Sequence, residues 1–301
     1  MCVGRGDGRI LGAHRFATDH SVDPAAVLAQ ALAALDALAA RHGAPSALGV
    51  ACPGPITVAG RFLDPPNMPR WHGFDLAAWL RAHTKTPATT MNDANAGVLA
   101  EWLWGAARGA DTAVFCTMST GMGAGLIVGG ELHQGRAGFA AEIGHLRLAP
   151  DGPVGFGKRG SVEGFLSGPG IVQVAEQEAR AALQTGMVTG LVHDGRVREL
   201  SAETVCGLAR AGDAAAARAI ARCADKLGEL LAVLVDLLEP DVIVLGTIAA
   251  SHPDLFLDRA WARLREEALA HSLAHLRVEV TSLTDRGDRQ AIAAARYAGR
   301  G

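Results

Sequence analysis

Asn92-Asp93-Ala94-Asn95 opens an apolar helical run, Ser119-Thr120-Gly121-Met122-Gly123-Ala124-Gly125 lies between two apolar runs, and Glu142-Ile143-Gly144-His145 follows. A carboxylate at a helix start, a glycine-rich turn able to approach phosphates and an acidic and imidazole cluster are the parts needed to activate a hydroxyl beside a nucleotide. Asn92 and Asp93 fall at a strand-to-helix junction, where open α/β sheets usually hold ligands. The combination points to phosphoryl transfer.

Strand and helix signals alternate on either side of this stretch, which favours an α/β architecture. The pattern predicts a strand over 9–17 after the Gly6-Asp7-Gly8 turn, a helix over 24–42, and a short strand over 47–51 that stops at Pro53-Gly54-Pro55. Residues 62–73 carry three prolines and read as irregular. Asp75 is expected to cap a helix to about His83, and 88–91 gives another strand. Further on, 112–118 and 125–128 read as a strand pair, 164–170 as loop, and 171–183, 202–211 and 214–238 as helices. The last elements are a strand over 241–245, a helix over 255–271, a strand over 276–280 and a helix over 288–298.

Composition narrows the function class. Hydrophobic residues make up 49 % and charged residues 20 % of the 301, which fits a folded soluble enzyme rather than a disordered chain. A net charge of -3 offers no basic surplus for a nucleic-acid backbone, so no nucleic-acid partner is expected. The five cysteines are scattered without a CxxC spacing and read as small buried residues of a reducing compartment. The start lacks a signal-peptide pattern, and the apolar stretch 227–238 is broken by Glu229 and Asp236, so a cytoplasmic protein with no membrane partner is expected.

The residues leave some roles open. Asp93 reads as a general base or as a helix cap, since aspartate is a preferred cap. Asn92 and Asn67 offer amides suited to paired hydroxyls, or serve as turn residues. Thr120, Gly121 and Gly123 suit a phosphate-binding turn, yet a hairpin with no ligand uses similar residues.

Taken in order, several pieces resemble the ROK family of sugar kinases: Val50-Ala51-Cys52-Pro53-Gly54-Pro55, Pro66-Asn67-Met68-Pro69, Asn92 to Asn95, Ser119 to Gly125, Gly138 to His145, Glu163 with Ser167-Gly168, and Pro240 to Gly246. The resemblance covers nearly the whole chain. It implies an actin/hexokinase-like (ribonuclease H-like) two-domain fold with an interdomain cleft, with 1–91 plus 288–301 as a small α/β domain and 92–287 as a large one. It implies ATP- and Mg²⁺-dependent phosphorylation of a hexose or N-acetylhexosamine, with Asp93 as base. Gly54, Asn67, Asn92, Glu142, His145 and Glu163 would cradle the sugar, and Thr120, Gly121, Gly123, Gly246 and Thr247 the nucleotide. A homodimer is implied by the same analogy.

Two departures qualify it. The family's cysteine-rich zinc segment reads Val154-Gly155-Phe156-Gly157-Lys158-Arg159-Gly160-Ser161-Val162-Glu163 here. No structural zinc is therefore expected, and packing of Val154, Phe156 and Val162 should hold the loop. The family's opening strand and Asp-x-Gly-Gly-Thr phosphate turn are also not matched anywhere in the 301 residues. A sugar-binding or regulatory protein that does not turn over is the alternative.

Overall fold

The computed structural model describes residues 1–19, 21–65 and 68–298. Its first elements are the antiparallel hairpin β1 (Cys2–Gly4) and β2 (Ile10–Ala13), then α1 (Pro24–His42) and β3 (Leu48–Cys52). After these come α2 (Leu76–His83), β4 (Ala88–Asn92) and α3 (Asp93–Trp104). Capping explains where the helices begin. The side chains of Asp23 and Asp75 accept from the amides of Ala25 and Ala78, satisfying donors that the first turn leaves without partners. β3 and β4 pair in parallel, with Cys52 opposite Asn92, and α3 leaves the end of β4 without an intervening loop. Phe62, Trp71, Leu76 and Leu80 form an apolar core beside Cys52. From the proline-rich segment Phe62, Met68 and Trp71 thus reach that core, and its described residues include a 3₁₀ turn at Pro69–Trp71.

Next come β5 (Ala113–Met118), β6 (Met122–Val128) and β7 (Glu131–Leu132), followed by the two-residue hairpin β8 (Val154–Gly155) and β9 (Lys158–Arg159). Helices α4 (Val162–Leu166) and α5 (Gly168–Thr185), a second small hairpin β10 (Val192–His193) and β11 (Arg196–Val197), and helices α6 (Ala202–Arg210) and α7 (Ala214–Leu238) continue the chain. It ends with β12 (Val242–Gly246), α8 (Thr247–Ser251), α9 (Pro253–Glu267), β13 (Arg277–Val280) and α10 (Arg286–Ala298). The central sheet runs β13-β12-β5-β6-β7, with β12 parallel to both neighbours and buried along its whole length. A strand covered on both faces reads as a continuous apolar run, as Val242-Ile243-Val244-Leu245 does.

One expected loop is helical. Residues 164–170 supply the end of α4 and the start of α5, because Ser161 and Ser167 each cap a helix through the amide three residues on. Their glycines do not mark flexibility. A Cβ on Gly170 would stand 2.1 Å from the carbonyl oxygen of Gly164, so glycine is needed for close backbone packing.

By its internal contacts the chain divides into two compact units, Met1–Ala110 with Gly125–Ala141 and Ser282–Gly301, and Asp111–Ala124 with Glu142–Thr281. Helix α3, expected in the large domain, packs against β4 and α10 within the first unit. Of the described helices, α1 alone is long and apolar enough to cross a membrane by length and composition, and 28 % of its apolar window is buried.

Candidate functional site

In the first unit the site is built at the ends of two parallel strands. Asn92, the last residue of β4, caps α3: its side-chain oxygen accepts from the Ala94 amide at 2.8 Å. Asp93 is therefore the first residue of the helix and not its cap. Burial raises the Asp93 carboxyl above the usual 3.8, and the amides of Ala94 and Asp93 itself pull the other way without cancelling it. The buried thiol of Cys52 reports the same surroundings. It is pushed up to about 12, first by burial and then by the Asp93 charge.

Gly54 stands at this junction for a reason that the sequence did not reveal. A Cβ there would lie 2.9 Å from the amide nitrogen of Asn92, so glycine leaves room for the capping side chain. Asn67 lies outside the described residues.

In the second unit Glu163 sits in the first turn of α4. One carboxylate oxygen accepts from the Met122 amide at 3.2 Å, and a Cβ on Gly121 would be 2.9 Å from that same oxygen. A Cβ on Gly144 would collide with the Met122 carbonyl at 2.3 Å. The glycines of two separate motifs thus let the Ser119–Gly121 turn, the Glu142–His145 segment and Glu163 come together. The turn is also tied to α5, whose Gly168 amide donates to the Ser119 carbonyl at 2.7 Å. Thr120 is exposed at its tip. Gly123 belongs to β6, which begins at Met122, three residues earlier than the apolar pattern indicated.

Glu142 and His145 are exposed and flank the 3₁₀ turn Ile143–His145. The loop expected to pack through three apolar side chains is held otherwise. Val154 and Phe156 are 41 % and 59 % exposed, and only Val162 is fully buried. Gln173 makes two hydrogen bonds to the backbone of Val154, at 2.9 and 2.8 Å, and Lys158 donates its ammonium to the His145 carbonyl at 2.5 Å. Phe156 instead sets its ring edge-on to His145, with centroids 5.0 Å apart. Lys158 was missed by the sequence reading, because a lone loop cation carries no spacing signal. Among the described residues no three His, Cys, Asp or Glu side chains group so as to hold a metal ion.

At the end of β12, a Cβ on Gly246 would be 2.8 Å from the Phe115 ring, and Thr247 follows with φ +48°. That left-handed conformation is costly for a β-branched residue. It is held by the Thr247 hydroxyl, which donates to the Met118 carbonyl. The Thr247 hydroxyl proton is thereby already engaged within the protein.

The sequence model of the ROK family matches residues 1–298. The chain belongs to the ROK family. Its fold is the actin/hexokinase-like α/β fold of that family. Among ROK relatives, a glucokinase of Streptomyces coelicolor is 30 % identical over 254 residues, covering 84 % of this chain and 79 % of the relative. The crystal structure of a ROK family glucokinase from Streptomyces griseus in complex with glucose and AMPPNP superposes with a TM-score of 0.79 at 29 % identity. That match covers 100 % of this chain and 95 % of the other. A putative xylose repressor of Caldicellulosiruptor is 29 % identical over 241 residues; the match takes in 79 % of this ROK chain but only 59 % of the repressor's length. Kinases and regulators thus both stand among the ROK proteins it resembles.

Proposed function

We propose that the protein is an ATP-dependent kinase of a hexose or N-acetylhexosamine, with Asp93 as the general base. The observation that carries this reading is the Asp93 carboxyl, released from capping by Asn92 and raised by burial. A carboxylate at its ordinary value is a weak base for a sugar alcohol, and a raised one accepts the proton more readily as the alcohol oxygen attacks phosphorus. The similarity to glucokinases over most of the chain supports the same reaction class.

Asn92, Glu142, His145 and Glu163 supply acceptors and donors for sugar hydroxyls, with Asn67 and the Gly54 backbone beside them in the sequence motifs. Glu163 keeps one oxygen for this role while the other holds the Met122 amide. ATP would lie against the Thr120–Gly121 turn, where an exposed hydroxyl and a residue without Cβ suit phosphate oxygens, and near Gly246. Mg²⁺, bound with the triphosphate, would neutralise charge on the transferred group. Gly123 and Thr247 belong to the same set by resemblance, although the hydroxyl of Thr247 is already engaged.

Sugar-dependent ADP release over a panel of hexoses and N-acetylhexosamines tests this. The reading predicts release with at least one sugar, lost in Asp93→Asn while sugar affinity stays within a few-fold. Near-normal turnover in Asp93→Asn would overturn the base assignment. The second reading is a sugar-binding regulator, favoured by the repressor similarity. It predicts sugar binding by calorimetry with no ADP release for any sugar.

A further inference from the structure

The tip of the β8–β9 hairpin carries a residue that its turn disfavours. Val154 pairs with Arg159 and Gly155 with Lys158, which leaves Phe156 and Gly157 as a two-residue loop with φ of +45° and +71°. Loops with positive φ at both positions select asparagine or glycine, because a larger side chain is crowded there. Phenylalanine is strained in that conformation, and burial does not offset the strain, since the side chain is 59 % exposed. Strained residues of this kind are kept where a neighbouring functional group needs them.

The neighbour is His145. The two rings stand 5.0 Å apart between centroids with their planes at 88°, the edge-to-face arrangement that aromatic pairs prefer. Two residues further along the hairpin, the Lys158 ammonium donates to the His145 carbonyl at 2.5 Å. One hairpin therefore holds His145 twice, by its ring and by its backbone. His145 is exposed at the end of its 3₁₀ turn, and among the described residues no hydrogen bond reaches either imidazole nitrogen. Packing against Phe156 orients the ring, and both nitrogens stay available to a ligand. The hairpin itself is firmly seated. Gln173 of α5 bonds both the amide and the carbonyl of Val154, and the Ser161 hydroxyl donates to the Lys158 carbonyl at 2.9 Å. A Cβ on Gly155 would stand 2.4 Å from the Gly164 amide nitrogen, so β8 lies backbone to backbone against α4.

We propose that Phe156 and Lys158 are positioning residues for sugar binding: they fix the imidazole of His145 in the orientation that meets a sugar hydroxyl, Phe156 from the ring side and Lys158 from the carbonyl side. The inference rests on the reading of His145 as a sugar ligand and needs no contribution from Asp93. It explains why the turn keeps a phenylalanine that neither its backbone nor its burial favours. A prearranged imidazole binds without first losing the freedom of its own ring, so loosening the clamp weakens affinity.

The test uses the full chain and whichever hexose or N-acetylhexosamine of a panel it binds most tightly. Sugar affinity is measured by calorimetry, KM and kcat by ADP release, and stability by the midpoint of urea unfolding. Phe156→Asn should weaken sugar binding and raise KM about threefold to tenfold, with kcat within about twofold. The unfolding midpoint should stay level or rise, because asparagine relieves the turn. A phenylalanine with a merely structural role would give the reverse, lower stability with unchanged affinity, and that result would overturn the proposal. Phe156→Tyr keeps the ring edge and should bind within about twofold of wild type. Lys158→Met should weaken binding about threefold, and Lys158→Arg, which keeps a charged donor, should restore it. In a His145→Ala background Phe156→Asn and Lys158→Met should each cost less than about 1.5-fold, because both act through His145. Equal losses in the two backgrounds would show that these side chains touch the sugar themselves and would overturn the positioning role. So would an unchanged affinity in Phe156→Asn accompanied by loss of a dimer in sedimentation, which would assign the exposed ring to association. Sugar binding without ADP release would fail the kinase reading alone, and the affinities would still decide this proposal. No binding by any sugar of the panel would overturn the sugar site and the proposal with it.

Discussion

Asp93 and Asp213 both stand where a helix begins, and their surroundings shift them in opposite directions. Asp213 is the cap of α7: its carboxylate accepts from the amides of Ala215, Ala216 and Gly190 and from the Thr189 hydroxyl. Burial alone would raise its pKa, but those donors together bring it below the usual value. At Asp93 the cap is the neighbouring Asn92, and burial prevails. A carboxylate surrounded by donors is a fastener, whereas one with few donors and little water is poised to take a proton.

The largest expected effect tests the Asp93 side of this contrast. Asp93→Asn should lower sugar-dependent turnover about a hundredfold or more, measured by coupled ADP release, because a positioned base contributes roughly that much. The equivalent change at Asp213 should leave turnover per folded molecule close to normal. Comparable losses at both positions would erase the distinction.

Next in size is Asp213→Ala, expected to cost about 1–2 kcal/mol in denaturant unfolding, as for loss of a strong helix cap. Its pH dependence has a definite sign. A carboxyl with a depressed folded pKa contributes stability above its unfolded pKa and loses it as pH falls through the folded value. The difference between wild type and Asp213→Ala should therefore be full at pH 7 and shrink in the acid range below pH 3.8.

Gly121→Ala sharpens the comparison from the other unit. The added methyl would displace the Glu163 oxygen from the Met122 amide, and losing one such hydrogen bond should raise the KM for sugar about threefold to tenfold with kcat less affected. An unchanged KM would show that Glu163 is not held in place by this turn.

The smallest effect concerns stability at Asp93. A folded pKa raised by burial means that ionisation costs stability as pH rises through the unfolded and then the folded value. Asp93→Asn should then be as stable as wild type or slightly more so at pH 7, with the gap closing as pH falls into the carboxylate range. A marked loss of stability at pH 7 would place Asp93 with the fasteners.

Much of this was legible from residues close in sequence. The 24–42 and 214–238 helices were predicted at their observed limits. The junction after β4 was placed correctly because an apolar strand, a cap residue and an apolar helix follow one another without a gap. Reading 164–170 as loop failed for a physical reason. Glycine and serine there were weighed by propensity, while the structure uses glycine for backbone contact and serine for capping. Val154 and Phe156 misled similarly, since apolar character predicts burial only where the chain provides something to pack against.

The amino-acid sequence by itself determined the main alternation of strands and helices, most helix starts and membership of the ROK family, because capping, periodicity and motif spacing are carried by neighbours along the chain. Only the tertiary structure decided that Asn92 rather than Asp93 is the cap and that Glu163 holds the turn at Met122. Burial and hydrogen bonds between segments depend on residues brought together from distant parts of the chain, and local sequence does not encode that meeting.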